Sequence, residues 1–405
     1  MAYNINLVQE RERERERERE SRAAKIFSYE NLLECYYECR KHKRFTINAL
    51  KFEEHFESEL LKLRDELVGR TYRPGKSICF VVKKPKLREI FAADFRDRVV
   101  HHVLVNYLEP IWEKKFIEQS YACRKGKGTH LAIHDLRRYI AKVTQGYSQK
   151  AYYLQVDIQS FFVSLDKEIL LSIVKRHTRN PAVIWLAETI IRHEPQRNFK
   201  TKGQLSLFDL IPDHKTLFKA PQGKGLPIGN LTSQFFANVY MNDVDQFIKH
   251  NLKVKYYLRY VDDLVLLSSD KTELIIWQKA INNFLSDKLN LHLHPQKTRL
   301  QEIGKGIDFL GYVVRPHYLL ARKRVVQAFK QKLRWFNNEL LAKDLQKEQI
   351  IKIAKKALRT VNSYFGHLKA ADCYGLKEHL WKKHFGLLMK FYRPADKSLS
   401  YLKLR

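Results

Sequence analysis

Acidic residues are scarce in this sequence relative to basic ones. The 405 residues include 44 Asp and Glu against 75 Lys and Arg, which leaves a formal net charge of +31. This excess is far larger than solubility requires, so a polyanionic partner is the leading explanation and nucleic acid is the default candidate. A membrane surface is the rival partner for a basic protein.

Long apolar runs are also missing. No stretch of about 18 uncharged apolar residues occurs, and the N-terminus has no apolar signal core. We therefore expect no membrane association and a cytoplasmic protein.

Cysteine is rare as well. The five cysteines are odd in number and form no Cys-x-x-Cys pair, which predicts reduced thiols in an intracellular protein. Cys35, Cys39 and His42 are only three candidate zinc ligands at a loose spacing, so buried helical cysteines are the favoured interpretation. The basic loop at 121–129 contains two glycines but no Gly-Lys-Ser/Thr pattern of a P-loop.

The remaining composition predicts a folded protein of two or three lobes, because 44% of the residues are hydrophobic and can bury a large core. The strict Arg-Glu alternation at Arg11–Glu20 has nothing to bury and is interpreted as a solvated tail. Apolar periodicity after Ser28 and across Phe52–Leu67 predicts helices. Residues 193–220 are polar and rich in turn formers, which predicts a long insertion loop.

Two adjacent carboxylates lie in the centre of Lys255–Asp270 (KYYLRYVDDLVLLSSD). Aromatic and β-branched residues on both sides predict a β-hairpin whose turn holds Asp262 and Asp263. Two like charges between apolar strands are costly unless solvent or a cation compensates them, so a divalent metal is a natural partner. The alternative is that Asp-Asp is ordinary turn chemistry.

A third carboxylate follows another predicted strand. Ala151–Val156 is apolar and ends at Asp157, and Asp166 is a better cap for the helix predicted at Lys167–His177. Asp157 is therefore available as a metal ligand. Carboxylates on two rigid elements are what a two-metal phosphoryl-transfer site requires, and Mg²⁺ suits oxygen ligands.

Basic residues flank these carboxylates in sequence. Lys83, Lys84 and Arg88 crowd a predicted strand-turn-strand ribbon, which suits a phosphate clamp, although a solvated hairpin tip is the alternative. Residues 316–405 hold 21 Lys and Arg against 6 Asp and Glu. Mixed with aromatic residues, this segment predicts a basic helical bundle that grips a nucleic-acid backbone.

The motif His294–Thr298 adds a further cation, Lys297, near the predicted core. His292 and His294 could in principle ligate a metal, but two histidines at i,i+2 on a strand usually share a solvated face. Metal binding by this pair is therefore the minor interpretation.

In their order and spacing across roughly residues 70–315, these motifs resemble those of reverse transcriptases. Asp157–Phe162 resembles the first metal-binding motif and Tyr260–Asp263 the second, Ile307–Tyr312 resembles the primer grip, and His294–Thr298 is similar to the motif whose lysine protonates pyrophosphate.

The resemblance implies an α+β fold: a right-hand polymerase with fingers, an RRM-like palm built on an antiparallel sheet, and a helical thumb. The implied divisions are 1–25 for the charged tail, 26–150 for the fingers and the start of the palm, 151–315 for the palm, and 316–405 for the thumb and C-terminal tail.

The resemblance also implies roles for individual residues. Asp157, Asp262 and Asp263 would be catalytic and would bind two Mg²⁺ ions, for which Mn²⁺ could substitute, and Lys297 would be the proton donor. The carbonyl of Ile158 would complete the metal shell. The implied nucleotide-binding residues are Lys83, Lys84, Arg88, Ile158, Phe162, Ile228, Gly229 and Gln234.

The turn Gly225–Gln234 (GLPIGNLTSQ) distinguishes subtypes within the family. Group II intron enzymes usually have Gln where Ile228 stands and Pro where Gln234 stands, whereas this sequence is similar to reverse transcriptases of diversity-generating retroelements. That subtype implies copying of a template-repeat RNA into cDNA with errors at adenines. It also implies deoxynucleoside triphosphates as substrates, a primer, and a small basic oligomeric accessory protein as partner.

Two alternatives to this subtype remain open. A group II intron-like maturase would use the same surfaces to fold RNA, and a catalytically silent RNA-binding protein would keep the charge without the chemistry. The intact Asp157, Asp262 and Asp263 argue against the silent protein, since unpaired carboxylates in a basic groove have little use without a metal.

Overall fold

The computed structural model describes residues 25–41, 46–83, 86–342 and 345–405. The Arg-Glu repeat, His42 and Lys84 lie outside these ranges, so the predictions made for them stay predictions. Within the described ranges, no helix combines the length and the apolar character that a membrane span requires.

Helices and antiparallel strands alternate along the chain. The α-helices of the described ranges are α1 Tyr29–Arg40, α2 Ile47–Glu54, α3 Phe56–Val68, α4 Phe95–Glu113, α5 Thr129–Val143, α6 Phe161–Ser164, α7 Lys167–His177, α8 Pro181–Arg192, α9 Leu231–Gln246, α10 Lys271–Leu289, α11 Lys323–Leu340, α12 Lys347–Lys369 and α13 Tyr374–His384. The strands are β1 Ser77–Val82, β2 Arg88–Ala92, β3 Tyr152–Asp157, β4 Phe199–Thr201, β5 Tyr256–Tyr260, β6 Asp263–Ser268, β7 Arg299–Glu302, β8 Ile307–Phe309, β9 Tyr312–Val314, β10 Leu319–Ala321, β11 Tyr392–Pro394 and β12 Leu402–Leu404.

The N-terminal helices pack on the central part of the chain. One apolar core runs from Phe27 to Leu291 and joins helices α1 to α4 to the central sheet and to α9 and α10. Cys35 and Cys39 are buried in that core, and burial raises the pKa of the Cys35 thiol to about 12. These two thiols therefore pack as small apolar side chains.

The central sheet has the strand order β5-β6-β3-β7, and every pair in it is antiparallel. The apolar residues of β3 and β6 are buried on both faces, because helices cover one side and a second apolar cluster covers the other. In the β3–β6 register, Asp157 pairs with Asp263. The predicted palm is thus an antiparallel sheet with its acidic residues at one end.

A second sheet has the order β2-β1-β4. Strands β1 and β2 form the predicted ribbon, whereas β4 comes from the 193–220 segment and pairs in parallel with β1. Buried Glu89 anchors this segment further, since it accepts hydrogen bonds from Thr216 Oγ1 at 2.6 Å and Leu217 N at 3.0 Å. The predicted insertion loop thus contains a short strand, β4, that joins the sheet of the ribbon.

The C-terminal part has its own apolar core, formed by buried residues between Phe329 and Leu402. Its helices begin at Lys323, after strand β10, and the chain ends in the hairpin of β11 and β12. The prediction of a helical bundle over residues 316–405 was therefore wrong at β10 and at the β11–β12 hairpin. Arg322 joins this part to the β8–β9 hairpin through an ion pair with Asp308 at 2.9 Å.

This architecture is α+β, as predicted. The boundaries of fingers, palm and thumb at residues 150 and 315 stay predictions. The apolar core that begins at Phe27 extends across residue 150.

Candidate active site

Three carboxylates meet at one end of the central sheet. Asp157 is the last residue of β3, Asp263 is the first residue of β6, and Asp262 lies with Val261 in the tight turn between β5 and β6. The hairpin forms as predicted because β5 and β6 are apolar strands that pair from Tyr256–Leu267 to Tyr260–Asp263. Asp263, predicted in the turn, is instead the first residue of β6, because it pairs with Tyr260. The pairing of β3 with β6 then brings Asp157 to the same edge.

The charges of these groups act on one another. Burial, and after it the charge of Asp157, raises the pKa of Asp262 to about 6, while the guanidinium of Arg88 acts in the opposite direction. Burial also raises the pKa of Asp263 to about 7. The ionised forms of both carboxyls are therefore disfavoured unless a cation lies nearby.

Asp263 is bound by a side chain of the neighbouring strand. Gln155 Nε2 donates to Asp263 Oδ1 at 3.0 Å and Oδ2 at 3.2 Å, and it also donates to the backbone carbonyl of Asp308 at 3.2 Å. Asp263 is thereby tied to the β8–β9 hairpin, which is the predicted primer grip. This contact suits a supporting role for Asp263.

Lys297 reaches the site from the segment between α10 and β7. Its ammonium group forms an ion pair with Asp157, whose side chain keeps 23% of its surface exposed. The segment is tied to β3, because His294 N donates to the Asp157 carbonyl at 2.7 Å and Gln159 N donates to the His292 carbonyl at 2.9 Å. These bonds flank the bridge between Ile158 and Leu293, so they leave the Ile158 carbonyl outside the ladder.

A divalent cation fits this group of residues. Asp157 and Asp262 supply adjacent carboxylates that repel each other, and the Ile158 carbonyl is a third oxygen on the same strand exit. Hard cations such as Mg²⁺ prefer oxygen ligands of this kind. In the parts of the chain that the structure describes, no group of three or more His, Cys, Asp and Glu side chains has the geometry of a metal site. His292 and His294 therefore belong to no such group among the described residues. The metal-binding roles of Asp157, Asp262, Asp263 and the Ile158 carbonyl stay predictions.

The basic ribbon, formed by strands β1 and β2, contributes a positive charge near the carboxylates. Arg88 begins β2 and lies close enough to act on the pKa of Asp262, and Lys83 is exposed directly after β1. The structure therefore brings Arg88 to the site, and it places Lys83 at the tip of the ribbon.

The glycine-containing turn at 225–234 is wedged between the ribbon and the segment after Asp157. Phe91 N donates to the Ile228 carbonyl at 2.9 Å, and Ala93 N donates to Asn230 Oδ1 at 3.0 Å. Gly229 has φ +124°, and a Cβ there would lie 2.7 Å from Ile90 Cγ2. Only glycine fits at this position without displacing β2.

The same turn contacts Phe162, one of the predicted nucleotide-binding residues. Leu226 N donates to the Phe162 carbonyl at 2.8 Å, and the half-buried ring of Phe162 lies 5.3 Å from that of Phe161. Gln234 is exposed on α9 and accepts a contact from Cys123 Sγ at 3.6 Å. The turn thus contacts strand β2 through Ile228 and the segment after Asp157 through Leu226.

A family profile connects this geometry with known proteins. The profile described as Reverse transcriptase (RNA-dependent DNA polymerase) matches residues 81–314, which is more than half of the chain. The chain belongs to the reverse transcriptase family. The predicted enzyme class, RNA-directed DNA polymerase, is thereby confirmed.

The curated relatives of this reverse transcriptase include Protein YkfC and several intron proteins. Protein YkfC of Escherichia coli is 24% identical over 70% of this chain and 79% of its own length. Nuclear intron maturase 2, mitochondrial, of Arabidopsis thaliana is 22% identical over 63% of this chain and 44% of its own length. Group II intron-encoded protein LtrA of Lactococcus lactis is 20% identical over 64% of this chain and 50% of its own length. The chain spans about half of the length of the last two.

Among solved structures, telomerase from Candida albicans in complex with a TWJ fragment of telomeric RNA overlaps this chain with a TM-score of 0.45. The overlap covers 82% of this chain and 62% of the other at 11% identity.

Sequence reasoning missed two buried polar residues next to the active-site carboxylates of this reverse transcriptase. Gln155 lies within the apolar strand β3, and Arg259 lies within the aromatic strand β5. Each is a buried polar residue inside a run of apolar and aromatic residues. A polar residue within an apolar strand can be recognised in the sequence, and it predicts a specific contact because a buried polar side chain must find hydrogen-bond partners.

Proposed function

We propose that this reverse transcriptase copies a template-repeat RNA into cDNA with errors concentrated at template adenines, for retroelement-driven diversification of a gene. Two Mg²⁺ ions, with Mn²⁺ as a substitute, would be held by Asp157, Asp262 and the Ile158 carbonyl. The metal supplies charge neutralisation at the transferred phosphate and activation of the attacking hydroxyl. Template RNA, primer and cDNA, deoxynucleoside triphosphates and a small basic accessory protein are the proposed partners.

The observation that carries the subtype is the position of Ile228. Its carbonyl is bonded to strand β2 of the ribbon, and its half-buried side chain is apolar where relatives of the intron type usually have an amide. An apolar side chain can contribute shape to the nascent base pair but cannot donate or accept a hydrogen bond. Discrimination between bases should weaken at such a position.

Copying an RNA with equal amounts of the four bases tests this proposal. Sequencing of the cDNA should show an excess of errors opposite adenine. Ile228→Gln should lower that excess, and Ile228→Val, which keeps an apolar surface, should retain it. Equal error rates opposite all four template bases would refute the diversity-generating subtype, and an unchanged spectrum in Ile228→Gln would remove this residue from the explanation.

The choice of deoxyribose over ribose is assigned to Phe162. A ring at this position, beside the Gly225–Gln234 turn, would clash with a 2′-hydroxyl of the incoming nucleotide. Phe162→Ala should therefore raise the use of ribonucleotides relative to deoxyribonucleotides by about 10-fold or more, measured as the ratio of kcat/KM values for one nucleotide addition. Phe162→Tyr keeps the ring and should keep the selectivity. If the ratio stays the same in Phe162→Ala, the ring only packs against the core.

A second candidate function is that of a group II intron-like maturase, and the intron proteins among the relatives favour it. Splicing of a group II intron RNA in the presence of the purified protein separates the two functions. Faster splicing together with accurate cDNA would establish the maturase, whereas adenine-biased cDNA without any effect on splicing would establish the diversity-generating enzyme.

A further inference from the structure

Arg259 is a fully buried cation three residues before Asp262. Its side chain and that of its partner Asp245 on α9 both have 0% of their surface exposed. Burying an ion pair costs more than the pair regains unless the remaining donors and acceptors are also satisfied. The surroundings of Arg259 meet that condition.

Each nitrogen of the guanidinium has a partner. Nε donates to Asp245 Oδ1 at 2.8 Å and to Oδ2 at 3.0 Å. Nη2 donates to Asp245 Oδ2 at 2.6 Å and to Ser120 Oγ at 3.0 Å. Nη1 donates to Asn238 Oδ1 at 3.1 Å and to the backbone carbonyl of Val261 at 2.9 Å. The guanidinium thus contacts, through Nη1, the backbone of the residue directly before Asp262.

Val261 is strained at this point. It has φ +57°, in the left-handed region that a β-branched residue avoids. Such a conformation is unfavourable and persists only where the surroundings enforce it. The hydrogen bond from Arg259 to the Val261 carbonyl is a contact that enforces it.

The backbone of Arg259 is also held in place. Arg259 N donates to the Gln119 carbonyl at 2.9 Å, and Tyr121 N donates to the Arg259 carbonyl at 3.0 Å. The end of β5 is therefore fixed by the neighbouring segment. Because the guanidinium binds Asp245 and Asn238 of α9 as well as the Val261 carbonyl, it connects the turn to both α9 and the fixed end of β5.

We propose that Arg259 is a positioning residue for Asp262. By holding the Val261 carbonyl while anchored to Asp245 and Asn238, Arg259 sets the left-handed turn that directs the Asp262 carboxylate toward Asp157. The inference rests on the proposed function of these two carboxylates in metal-dependent DNA synthesis. Arg259 itself touches neither substrate nor metal.

Arg259→Lys tests the proposal, because an ammonium group is a single point that can pair with Asp245 but cannot also span to the Val261 carbonyl. In single-nucleotide addition, kcat should fall by about 10²-fold, the loss expected from a misplacement of about 1 Å. The KM for the deoxynucleotide and the Kd for template-primer should stay within about twofold. Binding of Mn²⁺ to the protein alone, followed by electron paramagnetic resonance, should weaken by about 10-fold or more.

Tyr257→Phe is the matched control. Tyr257 OH donates to Asp245 Oδ1 at 2.6 Å, so this variant removes one bond from the same buried network without touching Val261. Its melting temperature should fall, while its kcat and Mn²⁺ affinity stay within about twofold of the original protein. A loss of kcat in Tyr257→Phe equal to that in Arg259→Lys would show that the network matters only for stability, and would overturn the proposal.

A second variant covers the case in which Arg259→Lys does not fold. Arg259→Met combined with Asp245→Leu removes both buried charges, an exchange that is often neutral for stability. It should show the same loss of kcat and of Mn²⁺ affinity. Wild-type values of both quantities in a folded variant would refute the positioning role. Because Mn²⁺ binding is measured without nucleotide or template, it tests Arg259 even if the wild-type protein makes no cDNA, a result that would refute only the proposed function.

Discussion

Asp157→Asn and Asp262→Asn should each lower the rate of DNA synthesis by about 10³-fold or more. Each substitution removes a negative charge from the pair that is proposed to hold the metal, and metal-assisted stabilisation of the transferred phosphate would account for several kcal/mol of the barrier. Extension of a labelled primer on an RNA template measures the loss. Binding of the template-primer should stay nearly intact, because the basic surfaces are unchanged.

Asp287→Asn is the matched control for these variants. Asp287 is an exposed residue of α10, so the same change of charge occurs away from the site. Its primer extension should equal that of the original protein. If Asp157→Asn or Asp262→Asn retained near wild-type extension, the assignment of these residues as metal ligands would be wrong.

The affinity for template-primer should fall by about 10³-fold or more between 50 and 200 mM salt, the range expected when at least about six phosphates are contacted. We propose that the C-terminal helices provide the charge for this contact. On α12, the exposed residues Lys352, Lys355, Lys356 and Arg359 share one face. Fluorescence anisotropy with labelled template-primer at several salt concentrations measures the slope.

Trp335 on α11 lies beside this basic face of α12 and contacts lysines of both helices. The ammonium of Lys332 lies 5.6 Å from the centre of its ring and that of Lys356 lies 5.1 Å from it. Replacing Lys332, Lys355 and Lys356 by Gln should reduce the salt slope by about one for each phosphate contact that is lost. The exposed Lys271 and Lys279 of α10 serve as controls, and their replacement by Gln should leave the slope unchanged. A salt-independent affinity would place the nucleic-acid site elsewhere.

The ion pair of Lys297 with Asp157 illustrates a limit of sequence reasoning. Lys297 was predicted to be a cation near the core, and the structure places it on a carboxylate that is 140 positions away in the chain. The proximity depends on the pairing of the 291–294 segment with the exit of β3. No local pattern encodes that pairing.

By itself, the sequence determined the hairpin with Asp262 in its turn, the strand that ends at Asp157, the helix capped by Asp166, and the positive charge of residues 316–405. These features follow from neighbouring residues, since alternation, β-branching, turn chemistry and capping act over a few positions. Only the tertiary structure decided that Gln155 holds Asp263, that Arg259 holds the turn before Asp262, and that β4 joins the ribbon in parallel. Each of these contacts joins residues distant in sequence or depends on which buried partners satisfy a polar side chain, and the packing of the whole chain sets those partners.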